Sequence, residues 1–497
     1  MPVRLNRRQF VGLGACALGS AFLRSGRTAD SVTTGSPQGQ PPLRQADSVI
    51  WIWLPGGIAQ ADMWDPKLHT PFREGMRGSE LLSTCGGIHT SAKGISLGKG
   101  LDHLAEVMNL GTVVRTIVND SPLAMAHLPA QYRTITGYEF PSAAKAPSIG
   151  SIASRFLGPR QTGVPPYVWM GRNAVAREWE DRFIQEYTGA GFYGPRFAPL
   201  TIPNPLAPES PWASGTPWNR GPADRRLELL KALARSGDSG GVAAPEAAAH
   251  LDSISSAREL LNSSFGKTLS TAVGEDPDLL RAYEPEIARD EMKDPSYFHG
   301  ARFGRGLLLA RRLVEQGVRF VQVELPFERF KGFDMHDHGG TRMPELKKQI
   351  DRPIARLIQD LESSGQLDRT LVVVASEFGR TVGGGPGEPE ETRSSETDPT
   401  GANLIVNTPA MYGFHRHFNE ANAMLFFGGG FKKGIAYGRT ADQHPMVPVE
   451  NPVLLRDVQA TVLATLGIPA NAAFTAHGRS FYVTEDGRGK VIKDLLA

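Results

Sequence analysis

Short apolar runs rich in β-branched and aromatic residues recur along the chain, and they constrain its fold more than any other feature. These runs cover residues 48–54, 113–118, 319–324, 370–375 and 423–428. Polar residues are few within them, which is typical of strands that are buried on both faces. The runs therefore predict a largely parallel sheet that is covered by helices on both sides.

Helical patterns lie between or after these runs, at residues 100–109, 303–316, 344–364 and 453–466. Alternation of strand and helix is typical of α/β proteins, in which helices pack on both faces of one sheet. We therefore predict a three-layer α/β/α sandwich with a mostly parallel sheet. Ligands of such sheets bind beyond the carboxyl ends of the strands, so the residues that follow each strand are the first candidates for a functional site.

Two segments depart from this alternation. Residues 192–296 begin with a Pro-rich stretch and continue with charged helical patterns, which predicts an inserted helical cap. Residues 383–403 are rich in Gly, Glu, Ser and Thr without periodicity, which is typical of a mobile loop. We expect one domain over residues 48–497, with the cap inserted into it.

The first 29 residues have the pattern of an export signal. Arg7 and Arg8 precede a weakly apolar stretch that is too short to span a bilayer. Paired arginines predict the twin-arginine route, which carries folded proteins and so allows a metal to be bound before export. An ordinary secretory signal is the alternative, as is a lipoprotein site at Cys16. A polar linker over residues 30–47 follows, and the mature protein is expected in the periplasm or outside the cell.

Composition narrows the partners of the mature protein. The formal net charge is +2, so no strong positive field favours nucleic acid. No apolar run after the leader is long enough for a membrane span. The leader contains Cys16, which leaves Cys85 alone, and no internal disulfide is expected. These features favour a small molecule or an exposed polymer as the partner.

Acidic and histidine side chains cluster where the predicted strands end or begin. The candidate metal ligands among them are Asp62, Asp334, His336, His338, Glu377 and His417. Carboxylate and imidazole groups without thiolate suit a divalent ion such as Zn, Mn or Ca. Asp334 with His336 or His338 carries the most weight, because such a cluster on a loop contributes little to packing. A solvated polar loop is the alternative there, and an internal ion pair with Arg380 is the alternative for Glu377.

Several motifs occur in a fixed order along the mature chain. They are Gly56-Gly57, Asp65-Pro66-Lys67, Phe333-Asp334-Met335-His336, Ser376-Glu377-Phe378-Gly379-Arg380-Thr381 and Gly478-Arg479-Ser480. Together with the paired-arginine leader, they resemble a secreted, sulfatase-like family, number 1501 among the domains of unknown function, within the alkaline phosphatase superfamily. The resemblance covers nearly the whole mature chain.

In that superfamily, two metal ions held by Asp and His stabilise the entering and leaving oxygens, while a Ser, Thr or formylglycine attacks phosphorus or sulfur. The resemblance implies that the six candidate ligands above surround one or two ions. Arg380 or Arg416 would hold the anionic group. Position after the second strand suggests Ser121 or Thr134 as the nucleophile, with His127 as its base or orienting partner. A helix start explains Ser121 equally well.

The chain also departs from the family pattern. Ala59 stands where the related family usually has Ser, Phe378 where superfamily members carry a His, and Arg416 where the family has Asp. Missing ligands lower the affinity for a second ion, so one ion, or none, becomes plausible. Cys85 lacks the sequence context of a formylglycine precursor, which argues against that mechanism.

Two hypotheses follow. The first is an exported, metal-dependent hydrolase of a sulfate or phosphate ester, including esters carried by a polysaccharide; its partner would be a small anionic ester or a sulfated or phosphorylated polymer. The second is a non-catalytic descendant of the same fold that binds a polymer or a protein. A fold alone does not decide between them, because unrelated functions share folds.

Overall fold

The computed structural model describes residues 45–121, 123–140, 144–171, 187–205, 276–382, 404–476 and 479–497, with scattered positions between 225 and 265. The predicted leader, most of the linker, the larger part of the cap and the 383–403 loop lie outside these residues. The division of the chain into leader, linker and domain with a cap therefore stays a prediction.

A nine-stranded sheet forms the centre of the described fold. Its strands, in chain order, are β1 Ser48–Trp53, β2 Gly111–Val118, β3 Tyr167–Met170, β4 Leu200–Ile202, β5 Phe320–Glu324, β6 Thr370–Ala375, β7 Asn422–Phe427, β8 Ile435–Tyr437 and β9 Val453–Leu454. The order across the sheet is β8-β2-β7-β6-β1-β5-β3-β4, and β9 also pairs with β2. All pairings are parallel except those that β7 makes with β2 and β6. The predicted mostly parallel sheet is confirmed.

The described α-helices are α1 Asp102–Val107, α2 His127–Thr136, α3 Ile149–Leu157, α4 Pro277–Ala282, α5 Gly300–Glu315, α6 Gly339–Ser363 and α7 Leu455–Thr465. The four predicted helices are present, and each starts two to five residues away from its predicted start. Helix α6 begins five residues before Pro344, because the N–H groups of Gly339 and Gly340 donate to the carbonyl groups of Gly413 and Tyr412. Helix α7 begins after residues 453–454, which pair with β2 instead.

Helices cover both faces of the sheet. Along β1, Ile50 and Ile52 point into a core that includes side chains of α1, α5 and α6. Trp51 and Trp53 point into a second core that includes side chains of α2, α3 and α7. This alternation explains why the strand is apolar from Val49 to Trp53, and it confirms the three-layer α/β/α sandwich.

Short two-stranded ribbons decorate the described part of the sandwich. They pair Gly87–His89 with Ser96–Gly98, Met76–Arg77 with Ile405–Val406, Gly379–Arg380 with His417–Phe418, Arg439–Thr440 with Pro448–Glu450, and Ala473–Ala476 with Arg479–Tyr482. Among the described helices, none is long and apolar enough to cross a membrane.

One edge of the sheet gathers the polar clusters. Strands β1, β2, β5 and β6 end there, whereas β7 begins there because it runs in the opposite direction. The ribbon between residues 379–380 and 417–418 joins the segment after β6 to the segment before β7. The turn after β1 uses Gly56 and Gly57, whose φ angles of +115° and +81° favour glycine. This edge contains the candidate site.

Candidate metal centre

Four side chains converge at this edge. His127, Asp334, His336 and His417 each offer one ligand atom, and these atoms all lie within 4.8 Å of one another. His127 begins α2, Asp334 and His336 lie on the loop after β5, and His417 lies on the ribbon before β7. The structure therefore brings together three of the predicted ligands and adds His127, which sequence reasoning placed in a different role.

Asp334 is the centre of this group. Its Oδ1 atom lies 3.0 Å from Nε2 of His127 and 2.8 Å from Nε2 of His336, and it also accepts a hydrogen bond from Nη2 of Arg380. Its Oδ2 atom accepts the backbone N–H of Phe330 at 2.7 Å. Burial acts to raise the pKa of Asp334, but the charges and hydrogen bonds of His127 and Arg380 hold it well below its usual range. The carboxylate is ionised.

His417 is oriented as a metal ligand. Its Nδ1 atom lies 2.6 Å from the carbonyl oxygen of Met125, so Nδ1 carries the proton and Nε2 carries the lone pair. The Nε2 atom is buried, has no hydrogen-bond partner among the described residues and lies 4.0 Å from Oδ1 of Asp334. Burial and the charge of Arg380 lower the pKa of His417 to about 3, so the ring is neutral. A metal-binding histidine needs this protonation state.

His127 is held from behind by Glu377. Oε1 of Glu377 lies 2.9 Å from Nδ1 of His127 and also accepts the N–H of Gly56 at 2.8 Å and the amide of Gln131 at 2.9 Å. Burial acts to lower the pKa of His127, but the carboxylates of Asp334 and Glu377 raise it. Glu377, predicted as a ligand, thus lies behind His127 and orients its ring.

Gln131 contacts Glu377 at the site but is not among the residues predicted from the sequence. It lies one helical turn after His127 on α2, so the two side chains share one face. Its Oε1 atom accepts a hydrogen bond from the Tyr187 hydroxyl at 2.8 Å. The spacing of four residues between His127 and Gln131 is the sequence signal that could have identified it.

Arg380, predicted to bind an anion, is fully buried and directed at protein groups. Its Nε donates to the carbonyl of Gly56 at 2.6 Å, and Nη1 donates to the carbonyls of Met335 and His415 at 3.0 and 3.2 Å. Its Nη2 donates to Asp334. These contacts make Arg380 a positioning residue for the Asp334 carboxylate.

Arg416 is the second predicted anion ligand. It precedes His417 and is partly exposed, and its backbone N–H donates to Oγ1 of Thr381 at 3.3 Å. Its location next to a member of the His/Asp group keeps the prediction of an anion contact open.

Two other predicted metal ligands lie apart from the group. The carboxylate of Asp62 accepts hydrogen bonds from Oγ of Ser83 at 2.8 Å, and from N and Oγ1 of Thr84 at 2.7 and 2.6 Å. His338 precedes α6, is about half exposed and has Nδ1 at 3.3 Å from Asp337. Both follow strands as predicted, but their side chains serve the local loop and helix start.

The two predicted nucleophiles also lie apart. The Ser121 hydroxyl donates to Oε2 of Glu139 at 2.6 Å. The Thr134 hydroxyl donates to the carbonyl of Ala130 at 2.8 Å within α2, two turns beyond His127. Neither hydroxyl is directed at Asp334, so the structure does not bring them to the group.

The chemistry of the group fits a divalent ion. Three imidazoles and one carboxylate suit Zn or Mn. The buried Nε2 lone pair of His417 has no hydrogen-bond partner among the described residues, and an ion would give it one. The ring centroid of Phe378 lies 4.5 Å from that of His417. Phe378 thus occupies the position at which the superfamily resemblance implies a further histidine. The group offers one clear place for a cation.

The profile of a family described as "Protein of unknown function (DUF1501)" matches residues 46–496. The chain belongs to the DUF1501 family. This match confirms the family that the sequence motifs resemble. Comparison with the curated proteins gives no match.

Solved structures similar to the DUF1501 protein come from several enzymes. The lipoteichoic acid synthase LtaP from Listeria monocytogenes has 12% identity, with 92% of this chain and 79% of that chain covered and a TM-score of 0.34. The PsFucS1 sulfatase from Pseudoalteromonas sp. has 13% identity, coverage of 91% and 74%, and a TM-score of 0.34. A mutant of alkaline phosphatase PafA has 10% identity, coverage of 91% and 99%, and a TM-score of 0.39. Likeness at this level assigns no residue role to the DUF1501 protein.

Proposed function

We propose that this protein is an exported, metal-dependent hydrolase of a sulfate or phosphate ester, including esters carried by a polysaccharide. The observation that carries the proposal is the convergence of His127, Asp334, His336 and His417, in which His417 already points a buried lone pair at the group. The paired arginines of the leader support export by the twin-arginine route to the periplasm or beyond.

The charges at the site favour one ion over two. The guanidinium of Arg380 contacts the same oxygen of Asp334 that the imidazoles share, so Arg380 already supplies part of the positive charge that a second ion would bring. Asp62, which the superfamily resemblance would assign to a metal, has its carboxylate engaged by Ser83 and Thr84. These four donors would hold a divalent ion, which would supply Lewis-acid chemistry toward an ester oxygen and a bound water.

The surrounding residues have positional roles in this proposal. Glu377 fixes the ring of His127, and Arg380 fixes the carboxylate of Asp334. Arg416, beside His417, is the candidate contact for the anionic group. Water is favoured as the nucleophile, because the hydroxyls of Ser121 and Thr134 donate to other partners.

Metal analysis tests the proposal directly. We expect the mature protein, purified from its export compartment, to contain about one Zn or Mn per chain and to hydrolyse an aryl phosphate or aryl sulfate. Asp334→Ala should lose both the ion and the activity. Asp337→Ala is the matched control, because Asp337 is on the same loop, exposed and paired with Arg342. Equal metal content in wild type and Asp334→Ala would refute the site.

The non-catalytic alternative has one observation in its favour. The Asp334 carboxylate already has Arg380 and two imidazoles as partners, so this carboxylate is satisfied within a structural ion-pair network. A chelator that lowers the melting temperature without affecting any hydrolysis would favour this alternative.

A further inference from the structure

Four phenylalanine rings surround the imidazoles of the metal group. The rings of Phe327 and Phe378 lie with centroids 5.1 Å from that of His127, and those of Phe330 and Phe414 lie 5.2 and 6.1 Å from that of His336. Three of the four are buried, with exposed fractions of 4% for Phe327, 0% for Phe378 and 5% for Phe414, whereas Phe330 is 47% exposed. The three buried rings pack against the imidazoles, and Phe330 is the exposed ring of the four.

The backbone of Phe330 is held in an unusual conformation. Its φ angle is +63°, in the left-handed region that bulky residues rarely adopt. Its N–H donates to Oδ2 of Asp334 at 2.7 Å, so the carboxylate at the centre of the metal group also fixes this residue. The guanidinium of Arg329 lies 4.7 Å from the ring centroid. The hydrogen bond from Phe330 to Asp334 therefore fixes the exposed ring beside the metal group.

We propose that Phe330 is a specificity-determining residue, a platform on which a ring of the substrate stacks while its ester group reaches the metal group. The proposal rests on the proposed function and narrows it to esters borne on a ring, whether a sugar or an arene. A flat apolar ring face gains dispersion and hydrophobic contact on an aromatic ring, whereas a short open-chain alcohol does not reach it.

A pair of non-hydrolysable anions tests this platform without requiring turnover. Phenylphosphonate and methylphosphonate share one anionic group and differ in the ring. For the Zn-loaded protein, we expect calorimetry to show about three- to tenfold tighter binding of phenylphosphonate. Phe330→Ala should remove this preference, and Phe330→Trp should keep it. Val449→Ala is the control, because Val449 is exposed to the same degree, at 48%, on a ribbon outside the metal group.

The variant Phe330→Gly distinguishes the effect of backbone strain from the effect of losing the ring. It removes the ring, as Phe330→Ala does, and it also relieves the strain of the positive φ angle. Loss of the preference in both the Gly and Ala variants, with metal content unchanged, supports the platform. An unchanged preference in Phe330→Ala, or equal binding of the two phosphonates by wild type, would overturn it, as would failure of both to bind. Wild-type protein that hydrolyses no ester would refute the proposed function, while the phosphonate comparison would still decide on Phe330.

Discussion

At the scale of single residues, the arrangement of the metal group depends on a carboxylate that lies behind it. Glu377 contacts His127, Gly56 and Gln131 through one oxygen, and it therefore couples α2 to the turn after β1. A carboxylate behind a metal-binding imidazole raises the basicity of the ligand and fixes its ring. The charge of Glu377 should matter as much as its shape.

We expect Glu377→Gln to lower metal affinity about 10- to 100-fold with the fold retained, because the amide keeps the size of the side chain and removes its charge. Competition with a chromogenic chelator measures this affinity. Glu362→Gln is the matched control, since Glu362 is about 40% exposed and pairs with Lys433. Wild-type affinity in Glu377→Gln would show that the contact with His127 is only structural.

The sequence predicted which residues lie at this site better than it predicted the directions of their side chains. Asp334, His336 and His417 were predicted and lie in the group, because position after or before a buried strand is readable from the apolar pattern. The direction of a side chain within a turn is not readable in this way. Asp62 was predicted for the same reason as Asp334, yet it is turned toward residues 83–84.

At the scale of elements, the turn after β1 packs closely against the loop that carries Asp334. A Cβ atom on Gly56 would lie 2.3 Å from the backbone nitrogen of Asp334, and one on Gly57 would lie 2.2 Å from the ring of Phe378. The loop with Asp334 can approach β1 because Gly56 lacks a side chain, and the ring of Phe378 can pack on this turn because Gly57 lacks one. The Gly-Gly pair was recognised in the sequence as a turn, but this contact across the chain was not predictable from it.

We expect Gly56→Ala to destabilise the fold more than Gly75→Ala and to weaken metal binding. Both glycines have positive φ angles, +115° and +78°, but nothing lies within 4 Å of a Cβ at Gly75. Gly75→Ala should cost about 1–2 kcal/mol from backbone strain alone, and Gly56→Ala about 1–3 kcal/mol more from overpacking against Asp334. Urea unfolding and chelator competition measure the two effects. Equal losses in both variants would contradict this account.

At the scale of the whole molecule, α1 and α6 are joined by one buried carboxylate on the far side of the sheet from α2. Asp351 of α6 accepts the N–H groups of His103 and Leu104 at 2.9 and 2.8 Å. Burial raises the pKa of Asp351 to about 6, although these N–H groups act in the opposite direction. The ionised form of this carboxyl is therefore less favoured in the folded protein than in the unfolded chain.

The pH dependence of stability follows from that shift. The folded state binds the proton more tightly, so its contribution to stability is complete below about pH 4 and is lost as the pH rises to about 6. We expect wild type to lose up to about 3 kcal/mol relative to Asp351→Asn across this interval. Urea unfolding at several pH values measures the difference, with exposed Asp368→Asn as the control. A constant difference between wild type and Asp351→Asn would contradict the raised pKa.

The architecture was the most predictable level. All five apolar runs are strands of the sheet, because burial on both faces leaves a pattern that does not depend on distant residues. The short strands β3, β4, β8 and β9 were missed, since their pairing is decided by neighbours rather than by local pattern. The reversed direction of β7 was equally hidden, although it brings His417 to the site.

Because His417 precedes this reversed strand, the last donor of the metal group is synthesised long after the first. A nascent chain that ends before residue 417 has His127, Asp334 and His336. It lacks the imidazole of His417, whose orientation is fixed by the carbonyl of Met125. Under the proposed function, the ion would therefore find its full set of donors only after the carboxyl-terminal part of the chain had been built and paired.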